Sequence, residues 1–315
     1  MIRRCAKDVL IFFLWYPVRY LVSLMPLSLI PGFGRLLGLA SFALGGRKRE
    51  LMLEELGKFK HGGGDRGIAR EAFVLQVMND LEVFMYPRMN RKVMEKMTKV
   101  ERKKYLDAGL EKGRGAILLI AHFGQNQMIM PAFGRRGYHM NQISASPVVW
   151  KDIMGKAATP MMIKSFQLRW ELESNLPVRH IDVFEFLRPA FRCLKRNEVL
   201  GLAIDGGGGR RKAPFDFLDR KALFSLEPMA LSVKTGASVL PTFVLRERGG
   251  RHRIVVHEPM RLRDSGDKEA DLMANTQAFI DILDGYVRRY PEHYINFIVF
   301  RRLRGGFDNT YLFED

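Results

Sequence analysis

The distribution of apolar and polar residues divides the chain into distinct parts. Residues 9–44 are mostly apolar, and residues 47–70 are polar and rich in basic side chains. From residue 115 onward, short continuous apolar runs alternate with segments in which apolar residues recur at helical spacing. Continuous apolar runs are typical of strands that are buried on both faces of a parallel sheet. Their alternation with helices predicts an α/β fold with a mostly parallel central sheet flanked by helices.

The same pattern places individual elements. An amphipathic helix is predicted through Ile68, Phe73, Val77, Leu81 and Phe84. A charged helix is expected at 99–111. Strands are predicted at 115–121, 140–146, 198–204, 238–245 and 252–258. Further helices are predicted at 125–135, 150–158, 184–196, 226–235 and 269–289. The segment 214–228 is expected to be a loop that leads into the fourth of these helices.

The apolar segment 9–30 is predicted to anchor the protein in or on a membrane. Trp15, Tyr16 and Tyr20 suit the interface between lipid and water. Basic residues flank the apolar stretch on both sides: Arg3, Arg4 and Lys7 before it, and Arg47, Lys48 and Arg49 after it. The chain is therefore divided into a hydrophobic helical anchor, residues 1–46, and a globular α/β domain, residues 47–315.

Several structures of this anchor are compatible with the sequence. A cleaved signal peptide would have a shorter apolar core and an early cleavage site. Pro17, Arg19 and Pro26 interrupt a clean spanning helix of about 20 residues. The segment is then a tilted single span, or a re-entrant or interfacial helix pair. The alternative without a membrane is a pair of buried helices that covers the globular domain.

The net charge indicates the kind of partner. The 315 residues carry a formal charge of +17 at pH 7, which predicts attraction to something anionic. Nucleic acid, an anionic membrane face, a phosphorylated lipid and an acidic carrier protein all satisfy this condition. The two cysteines, Cys5 and Cys193, cannot build a disulfide framework or a metal cluster, and fit a reducing compartment.

His122 is the first candidate for chemistry. It follows the apolar run 115–121, and open α/β sheets form their sites at the carboxyl ends of parallel strands. Gln127 lies near the start of the next predicted helix, about one turn away. A histidine with a polar partner at this spacing is a candidate general base.

A second candidate segment follows the predicted strand at 198–204. Asp205 ends this strand. The chain continues with Gly206, Gly207, Gly208, Gly209, Arg210, Arg211 and Lys212. Glycine N–H groups followed by cations suit a phosphate or a pyrophosphate. The segment is not a P-loop, because it leads to Pro214 and lacks the Gly-Lys-Ser/Thr sequence.

Two cations precede this loop. Arg188 and Lys195 are seven residues apart on the predicted helix at 184–196, so they share one face and can point towards the same phosphate. A solvated surface is the alternative reading of both the helix face and the glycine loop.

Several segments together resemble one protein family. The sequence Gly-Ala-Ile-Leu-Leu-Ile-Ala-His-Phe-Gly at 115–124 resembles the His-Phe-Gly-Asn-Trp-Glu block of the bacterial lipid A biosynthesis acyltransferases. These are the lauroyl and myristoyl transferases of the lysophospholipid acyltransferase superfamily. Later blocks of that family are resembled, in order and spacing, by the segments 201–205, 214–218, 231–243 and 290–294 with Arg301 and Arg302. The likeness covers nearly the whole chain.

The resemblance implies a fold and an activity. The fold would be glycerol-3-phosphate acyltransferase-like. The reaction would move a fatty acyl chain from an acyl carrier protein or CoA thioester, as substrate, to a hydroxyl or amine of a lipid A precursor or related glycolipid or phospholipid. The protein would serve lipopolysaccharide synthesis at the cytoplasmic face of the bacterial inner membrane. Its expected partners are anionic membrane lipids, acyl carrier protein and an amphipathic lipid acceptor, with no metal, no other cofactor and no nucleic acid.

The resemblance also implies residue roles. In that family a histidine takes the proton of the acceptor, and an acidic residue five positions on orients its ring. This makes His122 the base and places Gln127 at the acidic position. An amide can orient an imidazole but cannot stabilise an imidazolium, so Asp205 is the first candidate for a substitute carboxylate. The glycine loop and its cations, independently of the resemblance, predict that a phosphate of the acceptor or donor contacts Arg188, Asp205, Gly206, Gly207, Arg210 and Arg211.

Two other classes of function fit parts of the sequence. A lipid-binding homologue that has lost the catalytic pair would share the fold, the anchor and the charge. A nucleic-acid-binding protein would fit the charge alone. The sequence has no zinc-binding pattern, recognition-helix motif or aromatic-rich basic strand, and its apolar amino terminus argues against that class.

Overall fold

A computed structural model describes residues 2–149, 151, 154–155, 158–183, 188–207, 209, 211–304 and 311–314. The helices are α1 (Ile2–Phe13), α2 (Arg19–Leu24), α3 (Ile30–Leu44), α4 (Gly46–Leu56), α5 (Asp65–Val83), α6 (Arg91–Met97), α7 (Lys104–Glu111), α8 (Ile129–Gly134), α9 (Pro160–Glu173), α10 (Arg188–Lys195), α11 (Glu227–Thr235), α12 (Lys268–Arg289) and α13 (Ile295–Arg304). The strands are β1 (Thr98–Glu101), β2 (Ala116–Ile120), β3 (Met140–Ser144), β4 (Arg179–Asp182), β5 (Val199–Ala203), β6 (Lys212–Phe217), β7 (Arg220–Ser225), β8 (Ser238–Arg246) and β9 (His252–Val256).

The large sheet has seven strands in the order β1-β9-β8-β2-β5-β3-β4. β8 and β9 pair antiparallel, and the other neighbours in this sheet pair parallel. Ile117 and Leu119 of β2 belong to one hydrophobic core, and Leu118 and Ile120 belong to another. Because successive side chains of a strand point to opposite faces, both faces of the sheet are covered. The predicted α/β fold with a mostly parallel, helix-flanked sheet is confirmed.

The register of the central strands determines where the functional residues lie. Leu118 of β2 pairs with Gly201 of β5, and Ile120 pairs with Ala203. The two strands therefore end at the same level of the sheet. Residues that follow β2 and β5 by the same number of positions are brought side by side at this carboxyl edge.

Most of the predicted elements are confirmed to within a few residues at each end. This holds for β2, β3, β5, β8 and β9, and for α5, α8, α11 and α12. The pattern did not predict β4, α4, α6, α9 or α13. The helix predicted at 150–158 lies largely outside the described residues, as does the start of the one predicted at 184–196.

The helix predicted at 99–111 is wrong in its first part. β1 occupies its beginning and pairs parallel with β9 at the edge of the sheet. Arg102 then adopts a left-handed φ of 58°, which ends the strand, and α7 begins at Lys104. Thr98 and Val100 alternate with charged residues, and this period of two is a strand pattern.

The loop predicted at 214–228 is also wrong, since β6 and β7 form an antiparallel hairpin there. Leu218 and Asp219 make the turn with φ values of 52° and 63°, and left-handed conformations at both turn residues match the twist of a hairpin. Phe215 and Phe217 are buried, in alternation with exposed neighbours. The hairpin therefore follows the strand period of two.

One face of the amino-terminal helices packs on the globular domain. Trp15, Val22 and Ile30 are buried in the same core as β2. Gly38 allows α3 to approach α5 closely, because a Cβ at this position would lie 2.5 Å from the Cα of Val74. This face agrees with the alternative in which the amino-terminal helices are buried against the globular domain.

Other side chains of these helices are apolar and exposed. Leu10, Leu24 and Leu44 are 70%, 83% and 87% exposed. Within the described part of the chain, none of the helices is both long enough and apolar enough to span a bilayer. The spanning form of the predicted anchor is therefore unsupported, and the division of the chain at residue 46 stays a prediction.

Candidate active site

His122 and Asp205 meet at the carboxyl edge of the sheet. Each lies two residues beyond a paired strand end, β2 for the histidine and β5 for the aspartate. The Nδ1 atom of His122 lies 2.7 Å from Oδ1 of Asp205. The backbone N–H of His122 donates to Oδ2 of the same carboxylate at 2.8 Å. One carboxylate therefore holds both the ring and the main chain of His122.

Asp205 is buried and remains ionised. The hydroxyl of Tyr294 donates to its Oδ2 at 2.9 Å, and Arg301 donates to its main-chain carbonyl at 2.7 Å. Burial alone would raise the pKa of Asp205, but the charge of His122 and the hydrogen bonds from His122 and Tyr294 hold that pKa below its usual value. Burial and the Asp205 charge raise the pKa of Tyr294, so its hydroxyl keeps the proton that it donates.

The Asp205 contact determines which nitrogen of His122 carries the proton. An ionised carboxylate only accepts hydrogen bonds, so Nδ1 is the donor. In the neutral ring Nε2 then has a free lone pair and can accept a proton. The ring lies flat on Phe297, with centroids 4.4 Å apart, and the His122 side chain is 39% exposed. His122 therefore has the orientation and the access that a general base needs.

Two glycines shape the surroundings of the ring. Gly124 has a φ of 63°, and a Cβ there would lie 2.1 Å from the carbonyl oxygen of Val244, so the chain requires glycine. A Cβ at Gly206 would lie 3.5 Å from Cε1 of His122. Gly206 therefore leaves the space beside the ring open.

Gln127 forms hydrogen bonds with Tyr86 and Arg169, not with the predicted partner His122. Its Oε1 accepts hydrogen bonds from the hydroxyl of Tyr86 at 3.1 Å and from the guanidinium of Arg169 at 2.9 Å. Arg169 is held in turn by Glu173, at 2.7 Å between Nε and Oε1. The structure thus places Asp205, not Gln127, at the Nδ1 atom of His122.

The glycine loop after β5 only partly resembles the predicted phosphate site. Gly206 lies beside the histidine ring, and the carbonyl of Gly207 accepts a hydrogen bond from Lys212 at 2.7 Å. Nε of Arg211 lies 3.8 Å from Oε1 of Glu227, and its Nη1 lies 3.5 Å from Oε2 of Glu269. A bound anion would therefore compete with two carboxylates for the Arg211 guanidinium. Arg210 lies outside the described residues.

Asp205 and Arg188 are the other residues predicted to contact the substrate. The carboxylate of Asp205 faces His122 and Tyr294. Arg188 is exposed at the start of α10, and Lys195 is exposed at its end. Phe191 of the same helix lines a cavity that His122 also lines.

Two cavities meet at His122. The larger, of about 630 Å³, has many apolar side chains in its wall, among them Met130, Ile143, Leu202 and Leu231. The smaller, of about 330 Å³, has several polar side chains in its wall, among them Asn79, Gln125, Arg246 and Asn296. The residues that line both are His122, Asn126, Gln127, Arg169, Gly206 and Phe300.

Several site residues were given no role from sequence. Tyr294 and Arg301 belong to segments that carry the family resemblance, so a signal for them existed. Tyr86 and Arg169 reach the site from α-helical and turn segments far away in the chain, and no local pattern marks them. Phe297 lies on α13, which begins directly after Tyr294.

The site thus places an oriented histidine beside an apolar cavity, at the carboxyl edge of the parallel sheet of an α/β protein. The family model for bacterial lipid A biosynthesis acyltransferases matches residues 8–304. The chain belongs to this family, which confirms the resemblance found in the sequence and indicates an acyltransferase. A comparison with curated proteins found no match.

Proposed function

We propose that the protein transfers a fatty acyl chain from an acyl carrier protein or CoA thioester to a hydroxyl or amine of a lipid A precursor or a related glycolipid or phospholipid. His122 is the general base and Asp205 is its carboxylate partner. The 2.7 Å contact between His122 Nδ1 and Asp205 Oδ1 is the observation that carries this proposal. Because Asp205 supplies the carboxylate that Gln127 lacks, the contact supports an enzyme over a lipid-binding homologue without a catalytic pair.

The chemistry follows from the orientation of the ring. Nε2 of His122 removes the proton of the acceptor hydroxyl while the oxygen attacks the thioester carbonyl carbon. Asp205 stabilises the imidazolium and does not itself take the proton. Collapse of the tetrahedral intermediate breaks the C–S bond, and the leaving thiolate takes the proton from the imidazolium. The products are the acylated lipid and a free thiol.

The two cavities separate the two substrates. The larger cavity suits the acyl chain, because its wall contains many apolar side chains and apolar burial stabilises a bound hydrocarbon. The smaller cavity suits the polar part of the acceptor, because Asn79, Arg246 and Asn296 contribute to its wall. The thioester carbonyl and the attacking oxygen then meet beside His122, which lines both cavities.

The membrane surface is the proposed place of action. The exposed leucines of α1–α3 can enter the headgroup region of a lipid layer without spanning it. The formal charge of +17 favours an anionic surface, such as the cytoplasmic face of the bacterial inner membrane, and an acidic carrier protein as acyl donor. Gly206, Gly207, Arg188, Arg210 and Arg211 remain the proposed contacts for a phosphate of the donor or acceptor.

The test is lipid mass spectrometry of cells that express the wild-type protein, His122→Ala or His139→Ala. His139 is another exposed histidine and serves as the matched control. We expect a lipid species that is heavier by one acyl group in cells with the wild type and with His139→Ala, and its absence with folded His122→Ala. Retention of the heavier species with His122→Ala would remove His122 from the mechanism.

A further inference from the structure

We propose that the side-chain amide of Gln127 donates a hydrogen bond to the thioester carbonyl oxygen and stabilises the negative charge that develops there. The proposal rests on the proposed acyl transfer and adds a second catalytic residue to it. Its basis is the orientation of the amide at the junction of the two cavities.

The orientation of the Gln127 amide is determined by its neighbours. Arginine only donates hydrogen bonds, so the atom facing the guanidinium of Arg169 at 2.9 Å must be the amide oxygen. Burial raises the pKa of Tyr86, so its hydroxyl keeps its proton and donates to the same oxygen at 3.1 Å. Two donors on Oε1 leave the NH2 group pointing the other way.

The amide nitrogen is left as an unused donor. Within the described residues, no hydrogen-bond acceptor is paired with Nε2 of Gln127. Gln127 lines both cavities together with His122 and Gly206. A donor at this junction faces the space in which the acyl chain of one cavity meets the acceptor of the other.

The chemistry of the step requires a donor at such a place. When the acceptor oxygen attacks, the thioester carbonyl oxygen becomes an oxyanion, and a preorganised N–H group lowers the energy of this state. A carboxylate at position 127 would place a second negative charge against that oxyanion. With Asp205 as the partner of His122, residue 127 does not need to be acidic, and an amide performs a function that an acid cannot.

The test compares Gln127→Glu with the wild type in a purified acyl-transfer assay. Glutamate has nearly the same shape and keeps an acceptor for Arg169 and Tyr86, so the fold is expected to be retained. We expect kcat to fall about 100-fold or more, as for loss of one oxyanion donor in other enzymes, with little change in the KM for the thioester. Activity equal to or above that of the wild type would overturn the proposal.

A second measurement excludes a merely structural effect. A thioether analogue of the donor has a CH2 group in place of the carbonyl, so it cannot accept the Gln127 hydrogen bond. We expect Gln127→Glu and the wild type to bind this analogue with equal affinity. Weaker binding that matches the loss of kcat would show a distorted cavity and overturn the proposal.

The two proposals fail in different ways. If His122→Ala abolishes transfer while Gln127→Glu retains it, the role of Gln127 is wrong and the proposed function stands. If His122→Ala retains transfer, His122 is not the general base. If the wild type itself transfers no acyl chain, the proposed function fails and the role of Gln127 fails with it.

Discussion

Among the described residues, two histidines contact a buried carboxylate, and the two pairs differ in their access to solvent. His122 Nδ1 lies 2.7 Å from Asp205, and His252 Nε2 lies 2.9 Å from Glu82. The His122 side chain is 39% exposed and opens on two cavities, whereas the His252 side chain is fully buried. The chemical pairing is the same, so the pairing alone does not make a general base. A free nitrogen that faces space for a substrate distinguishes the pair of His122 and Asp205, the open pair, from the pair of His252 and Glu82, the closed pair.

The closed pair supports the segment that carries the open one. Arg246 donates two hydrogen bonds to Glu82, at 2.6 and 2.9 Å, and Gln125 donates a third at 3.1 Å. Gln125 lies between His122 and Gln127 in the chain. The cluster around Glu82 therefore ties α5, β8 and β9 to the loop that follows β2. A structural ion pair thus holds in place the loop that carries His122.

The largest effect is expected on kcat, when Asp205, the carboxylate of the open pair, loses its charge. Asp205→Asn should lower kcat about 10⁴-fold, the size of loss seen when the analogous aspartate of a serine protease becomes asparagine. Steady-state acyl transfer measures the effect, and circular dichroism verifies the fold. A kcat within about tenfold of the wild type would show that the open pair does not act as a unit.

Loss of the Glu82 charge in the closed pair should lower the free energy of unfolding. Burial alone would raise the pKa of Glu82, but Arg246 and His252 hold this pKa at about 2, below its ordinary value of 4.5. The stabilisation is therefore fully present above about pH 4.5 and is lost as the pH falls towards 2. Glu82→Gln should reduce the free energy of unfolding at pH 7 by about 3 kcal/mol.

Denaturant unfolding as a function of pH checks the Glu82 prediction. The wild type should lose stability between about pH 4.5 and 2, and Glu82→Gln should vary less over this interval. Equal pH dependence of the two proteins would contradict the assignment of Glu82 as an ionised structural group.

The smallest effect is expected from narrowing the access of the open pair. Gly206→Ala places a Cβ in ordinary contact with the ring, 3.5 Å from Cε1 of His122. We expect KM to rise about 3–10-fold with kcat little changed. Gly67→Ala is the matched control, because a Cβ at Gly67 meets nothing within 4 Å. An equal effect of the two substitutions would show that space at Gly206 has no role in access.

The sequence predicts those parts of the site that follow from strand ends. Continuous apolar runs locate β2 and β5, and His122 and Asp205 follow them directly. The partnership of the two depends on the pairing of Ile120 with Ala203. No local pattern contains that register, so the sequence alone points first to Gln127, which is nearer to His122 in the chain.

Other parts of the molecule depend on contacts between distant segments. Tyr86 and Arg169 determine the orientation of Gln127, although they are 41 and 42 residues away from it in the chain. The same reason applies to β4, which is short and partly exposed, so its residues show no continuous apolar run. Packing against the rest of the sheet, and not local propensity, decides that this segment is a strand.

Acyl transfer by the double variant Asp205→Asn, Gln127→Glu tests the central claim most directly. This variant moves the carboxylate from position 205 to the position at which the family has its acid. If Asp205 is the partner of His122 and Gln127 faces the substrate, the double variant is at most as active as Asp205→Asn alone. Recovery of activity towards the wild-type level would contradict the account, because it would show that residue 127 can orient His122.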